Sequence, residues 1–242
     1  MVSRPFLRPL LVWILGALAL AFSVSLCFLL APFLGGRRAF WIVAPRYLRG
    51  TAWAFGIRRE LEGWEALPEA LRSGARPAVF IGNHTSLFDP PLMISILPSH
   101  PVFVAKRELA RVPFLGWVIW LAGFIFIDRG DRQAALRSLQ RAADRIRAGQ
   151  GIVAFPEGTR GQDGCLLPFK KGVFALAFKA GVPVVPFAIH GGPAILPKGT
   201  WRVAGGSYRI TVGAPLESTA FPDMEALRAA AESAVRGLMG KE

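Results

Sequence analysis

AVFIGNHTSLFDPPLMISIL, residues 78–97, joins two periodicities through a polar turn. AVFIG (78–82) is a short apolar, β-branched run, the pattern of a strand buried on both faces. DPPLMISIL (89–97) opens with Asp89 as a candidate N-cap and Pro90 at the first helical position, so a helix is expected there. Between them NHTSLFD (83–89) falls at the carboxyl end of a strand, where open α/β sheets place their sites.

The same alternation continues downstream. PVFVA (101–105), FIFID (124–128), GIVAFP (151–156), VPVVPFAI (182–189) and YRITVG (208–213) read as further strands. DRQAALRSLQRAADRIRAG (131–149) places Leu136, Leu139, Ala143 and Ile146 at helical spacing, and DMEALRAAAESAVRGLMG (223–240) is a second amphipathic helix. Strands alternating with helices predict an α/β fold with a central, mostly parallel sheet flanked by helices.

Upstream the pattern is different. Between Leu10 and Leu34 no residue is charged, and only Ser23 and Ser25 are polar. A helix over that stretch is about 37 Å long at about 1.5 Å per residue, enough to cross a bilayer core of about 30 Å. It is too long for a signal-peptide core, and SLCFLLAPF offers no small-x-small cleavage site. Arg4 and Arg8 precede it while Arg37 and Arg38 follow, so a single crossing cannot keep the basic flanks on one side; a re-entrant or in-plane arrangement can. AFWIVAPRYLRGTAWAFG (39–56), broken by Pro45, mixes Trp41, Tyr47 and Trp53 with Arg46 and Arg49, as interfacial helices do, with the arginines expected at the phosphates. Pro32, Gly35 and Gly36 predict the turn between the two. Residues 1–58 are therefore expected to form a two-helix membrane-docking unit, and residues 59–242 the α/β body.

Of 242 residues, 29 are Lys or Arg and 16 Asp or Glu, a net charge of +13 that calls for an anionic partner. Beside an apolar anchor that partner is expected to be a phospholipid surface. No recognition-helix, zinc or single-strand-binding signature supports a nucleic acid. Cys27 and Cys165 read as free thiols in a reducing cytoplasm.

His84 in the NHTSLFD turn has an unperturbed pKa near ~6.5, suited to a general base, and Asp89 can orient its ring. Thr85 and Ser86 fit turn and capping roles, and Gly-x-Ser-x-Gly is absent, so a substrate hydroxyl is the group to activate. By itself the His-x4-Asp spacing does not separate a base from a structural histidine. FPEGTR (155–160), after the strand GIVAF, adds a second turn. Gly158 there can supply a positive φ, Arg160 offers a planar fork suited to a phosphate monoester, and Glu157 could pair with Arg160. His100 and His190 flank strands and read as structural, with no carboxylate or cysteine at metal-ligand spacing. Lys170 and Lys171 suit either a donor phosphate or solvent.

Taken together these stretches resemble the 1-acylglycerol-3-phosphate acyltransferase family, the lysophosphatidate acyltransferases. Asn83–Asp89 is similar to that family's first block, GFIFIDR (123–129) to its second, FPEGTR (155–160) to its third and VVPFAI (184–189) to its fourth. AKREL (105–109) followed by VPFLG (112–116) resembles a further recurrent stretch. The resemblance implies acyl transfer from a thioester, acyl-CoA or acyl-acyl carrier protein, to the hydroxyl of lysophosphatidic acid, at the cytoplasmic face of a membrane and with no metal or cofactor. It implies His84 as base, Asp89 as its orienting partner, and Arg160, Arg129 and Lys106 as phosphate ligands, with Glu157, Gly158 and Thr159 shaping the glycerol site. Another lysolipid acceptor, such as lyso-ornithine lipid, or a non-catalytic lipid-binding role stays open.

Overall fold

The computed structural model describes residues 7–128, 132–161, 165–197, 200 and 202–240. The apolar N-terminal run forms one helix, α1 (Leu7–Leu34), with Pro32 inside its last turn. Gly35, at φ 80°, makes the break, and α2 (Gly36–Ala54) follows without interruption through Pro45. The turn is thus confined to one glycine, and Pro45 does not break the second helix.

The two helices are not equivalent. From Ile14 to Leu34, α1 has a mean hydropathy of 2.5 and only 11% of that window is buried. Leu18, Phe22, Leu29 and Phe33 stand exposed along it. The aromatic stretch in α2 mostly turns inward, contrary to its interfacial reading. Trp41 is buried, the Tyr47 hydroxyl donates to the carbonyl of Gly16 in α1, and only Trp53 projects, at 82% exposure. Arg49 donates through Nε to the Ser95 carbonyl at 2.9 Å and, like Arg46, stays exposed. Buried Phe40, Trp41, Val43 and Ala52 let α2 bridge α1 and the body; fully burying a side chain such as Phe40 stabilises by about 1.5–3 kcal/mol.

The body is a seven-stranded sheet in the order β1-β7-β6-β2-β5-β3-β4. Its strands are β1 (Ile57–Glu62), β2 (Val79–Gly82), β3 (Val102–Lys106), β4 (Ile125–Ile127), β5 (Ile152–Ala154), β6 (Val184–His190) and β7 (Gly206–Val212). Every neighbouring pair is parallel except β6 with β7. All six strands expected from sequence are present. The added one, β1, is IRRELE at the sheet edge, where Ile57 alone is buried.

Side chains alternate across the sheet with period two. Phe80, Phe103, Val153 and Phe187 face a layer that includes α2 and α4 (Asp89–Ile96). Val79, Ile81, Val102, Ile152 and Val184 face α6 (Arg132–Arg147), α7 (Gly172–Ala180) and α9 (Met224–Met239). Three shorter helices complete the body: α3 (Glu69–Arg72), α5 (Leu115–Leu121) and α8 (Gly192–Ile195). The result is a three-layer α/β sandwich whose parallel strands β2, β5, β3 and β4 bring their carboxyl ends to one edge.

Candidate active site

The first motif leaves β2 at that edge. Gly82 is required there, because a Cβ would lie 2.3 Å from the Phe187 ring and 2.5 Å from its carbonyl oxygen. Asn83, buried, then ties the turn to β6: its Nδ2 donates to Ile189 O at 3.0 Å and its Oδ1 accepts from Ile189 N at 2.7 Å.

His84 and Asp89 meet, with Nδ1 2.8 Å from Asp89 Oδ2. Asp89 is fully buried, and the same oxygen accepts from the amides of Thr85 at 2.6 Å and Ser86 at 2.8 Å. Asp89 therefore does not cap α4. It occupies the first helical turn, and its carboxylate reaches back to the preceding loop. Three donors converge on this one carboxylate oxygen, the ring among them, so the imidazole proton sits on Nδ1 and the lone pair on Nε2. The His84 ring stacks on Phe155 with centroids 4.3 Å apart and an interplanar angle of 16°. Its side chain keeps 16% of its surface exposed, leaving Nε2 as the free ring nitrogen. Tyr208, buried beneath, donates to the Asp89 carbonyl at 3.4 Å, and burial holds its phenol well above the usual range.

The third motif leaves β5 and closes on the first. Glu157 is buried, and its Oε1 accepts the His84 N–H at 2.6 Å while Oε2 accepts the Leu167 N–H at 3.0 Å. The Gly161 N–H donates to the His84 carbonyl at 2.9 Å. Both backbone groups of His84 are thus held by the FPEGTR loop. Burial raises the Glu157 carboxyl above its ordinary value, against the pull of the His84 and Leu167 amides and of the His84 ring. The carboxylate faces these amides from behind the turn, not Arg160. Gly158 has φ 74°, and a Cβ there would lie 2.7 Å from Lys170 Nζ.

Thr159 is exposed and Arg160 half-buried on the same turn, and the Arg160 guanidinium has no ion-pair or hydrogen-bond partner among the described residues. Lys106 ends β3 on the same edge with its ammonium on Glu108 at 2.9 Å, both exposed. Arg129 lies outside the described residues. Lys171 pairs with Glu225 at 2.5 Å, whereas Lys170 lies along Gly158. Among the described residues no group of three or more His, Cys, Asp or Glu is placed to hold a metal ion.

Three features were not singled out from sequence. Asn83 and Phe155 lie inside the quoted motifs and carried that signal. Gly192, after β6, has no room for a Cβ, which would lie 2.2 Å from Thr85 Oγ1 and 3.1 Å from Asp89 Oδ1. Its only trace in sequence is the Gly-Gly pair following His190.

A buried, multiply bonded carboxylate, an imidazole with one free nitrogen and a guanidinium without a partner among the described residues can together deprotonate a hydroxyl on an anionic molecule. Ser86 is fully buried with its hydroxyl toward the Leu196 carbonyl, which withholds it from a nucleophilic role.

Comparison with known proteins places this geometry. A family model described as Acyltransferase matches residues 58–190. The 1-acyl-sn-glycerol-3-phosphate acyltransferase of Pseudomonas aeruginosa is 34% identical over 195 residues, covering 78% of this chain and 72% of that protein. The chloroplastic 1-acyl-sn-glycerol-3-phosphate acyltransferase of Brassica napus is 34% identical over 160 residues; the match takes in 66% of this chain but only 45% of the plant protein. The crystal structure of the 1-acyl-sn-glycerophosphate acyltransferase of Thermotoga maritima superposes with a TM-score of 0.80 at 28% identity, over 97% of this chain and 95% of that one. From its sheet, its motifs and these relatives, this chain belongs to the acyltransferase family.

Proposed function

We propose that the chain transfers a fatty acyl group from a thioester to the free hydroxyl of 1-acylglycerol-3-phosphate, giving phosphatidic acid. The observation that carries this reading is the His84–Asp89 pair at 2.8 Å with Nε2 open and, on the adjoining loop, Arg160 with no partner among the described residues. The names of the Pseudomonas aeruginosa and Thermotoga maritima proteins support the acceptor.

His84 Nε2 takes the acceptor hydroxyl proton as that oxygen attacks the thioester carbonyl. Asp89 holds the ring and stabilises the imidazolium. Collapse of the tetrahedral intermediate forms the ester C–O bond and breaks the C–S bond, and the imidazolium proton goes to the leaving thiolate. Arg160, with Arg129 and Lys106, binds the acceptor phosphate. Gly158 and Thr159 border the glycerol, and Glu157 positions His84 from behind. The donor is acyl-CoA or an acyl-acyl carrier protein, and no cofactor takes part. The exposed apolar face of α1 docks the enzyme on the cytoplasmic leaflet, where the acceptor resides.

The test offers purified protein an acyl thioester with lysophosphatidate and lyso-ornithine lipid together and identifies the diacyl product by mass spectrometry. Phosphatidic acid as the main product is expected. Acylated ornithine lipid in excess would replace the acceptor, and no product with either donor would overturn the catalytic reading.

A further inference from the structure

At the amino ends of β2, β3 and β5, away from the candidate active site, lies a polar cavity of about 310 Å³. It is bordered by the first turn of α2, the α3–β2 segment, the α4–β3 loop and the α6–β5 turn. Three of the residues lining it carry a buried side-chain atom without a hydrogen-bond partner: Arg37 Nη1, Ser99 Oγ and Gln150 Oε1. Ser99 is only 9% exposed. Buried polar groups are almost always paired; Arg37 Nη1 and Ser99 Oγ are donors that an anion could satisfy, whereas Gln150 Oε1, an acceptor, calls for a donor such as water.

The electrostatics say what kind of partner. The other nitrogen of Arg37, Nη2, donates to the His100 carbonyl, so no carboxylate neutralises this guanidinium. Arg145 stands close enough to lower the Arg37 pKa further, after burial, and Arg145 has no acidic partner of its own among the described residues. Arg37 also occupies the first turn of the 19-residue α2, where the helix dipole is positive. At the rim Arg76 is matched by Glu217 through two bonds of 2.9 and 2.6 Å, which leaves Arg37 as the uncompensated cation. Among the described residues no acidic side chain lines the cavity. Water could satisfy Ser99 and Gln150, but it does not balance two neighbouring guanidiniums.

We infer that this cavity is a second anion site, taking a phosphate or phosphate monoester held by Arg37 and Ser99. Its volume lies at the small end of ligand pockets, fitting a phosphate or glycerophosphate-sized headgroup. A more apolar groove formed by Leu34, Gly35, Arg38, Trp41 and Ile42 shares Arg37 and His100 with it and leads to the end of α1. A phospholipid could lay its headgroup in the cavity and its chain along that groove; free phosphate would use the cavity alone.

The experiment titrates inorganic phosphate into the full-length protein in detergent by calorimetry at constant ionic strength. Arg160→Gln, which removes the anion ligand of the active site, is expected to retain phosphate binding. In that background Arg37→Gln is expected to weaken it at least about tenfold, as loss of a charge-assisted bond does. Ser99→Ala, a small change safe for folding, is expected to weaken it severalfold. A second arm measures binding to phosphatidylcholine vesicles with and without phosphatidate. An Arg37→Gln defect confined to phosphatidate vesicles supports the site with a lipid headgroup as its source, and a defect with inorganic phosphate supports it with free phosphate. Phosphate binding wholly lost in Arg160→Gln, or unchanged in both Arg37→Gln and Ser99→Ala with no vesicle defect, overturns the inference.

Discussion

The Glu157 carboxylate accepts the backbone N–H of His84 at 2.6 Å, linking two motifs 73 residues apart in sequence. With the return bond from Gly161 N to His84 O, it fixes the direction in which the His84 ring leaves the backbone. Glu157→Gln keeps one acceptor but sets an amide N–H₂ against the N–H of His84 or Leu167. The folded variant is expected to lose roughly 10–100-fold in kcat, the order that a small misplacement of a base costs. Steady-state thiol release alongside circular dichroism checks this; wild-type kcat would contradict it.

Arg160 has no protein partner among the described residues and so is available to a ligand. Arg160→Ala is expected to raise KM for lysophosphatidate by roughly 10–100-fold, the worth of a hydrogen bond to a charged group. Acylation of a neutral acceptor such as monoacylglycerol, however slow, is expected to change little. Equal effects on both acceptors would remove Arg160 from phosphate binding.

Asn83 satisfies both backbone groups of Ile189 through bonds of 3.0 and 2.7 Å. Asn83→Ala strands two buried polar groups at about 1–3 kcal/mol each, so the melting temperature is expected to fall by roughly 5–15 °C. Thermal unfolding followed by circular dichroism measures it.

His100 carries a pH effect on stability. Burial and then the Arg37 charge lower its pKa below the ordinary value, and its ring stacks on Trp41 with centroids 4.6 Å apart. The unfolded chain therefore takes up this proton first, near pH ~6.5, while the folded imidazole stays neutral. The contribution is complete above that pH and is lost as pH falls through the folded pKa. The melting temperature is expected to drop on acidification below about pH 6.5, and to drop less in His100→Gln. Parallel pH profiles for the two proteins would contradict the assignment.

What was legible in sequence follows from physical scale. The strands of the body are continuous β-branched runs, and burial on both faces writes itself into such residues. β1 was not legible, because IRRELE at an edge buries only Ile57 and its charges reach solvent. GVFALAFKA (172–180) and LGWVIWL (115–121) received no element, since a short apolar run does not distinguish helix from strand. Within the site, the His84–Asp89 pairing was legible because both partners lie in one turn. The tasks of Asp89 and Glu157 within the loops were not. Asp89 looked like a cap, and Glu157 like a partner of Arg160, until the fold supplied nearer amide donors. The arginines and aromatics of α2 suited a lipid interface equally well, and only the packing against that helix buried Trp41 and gave the still exposed Arg49 a carbonyl partner in α4.

The central claim is that His84, oriented by Asp89, activates the acceptor hydroxyl. It is tested most directly by following free thiol released from acyl-CoA, or from acyl-acyl carrier protein, in mixed micelles with and without lysophosphatidate, for wild type, His84→Ala and Asp89→Asn. Acceptor-dependent release is expected in wild type, reduced by roughly 10³-fold or more in His84→Ala and by about 10²–10⁴-fold in Asp89→Asn, with both variants folded. Undiminished release in folded His84→Ala would contradict the account.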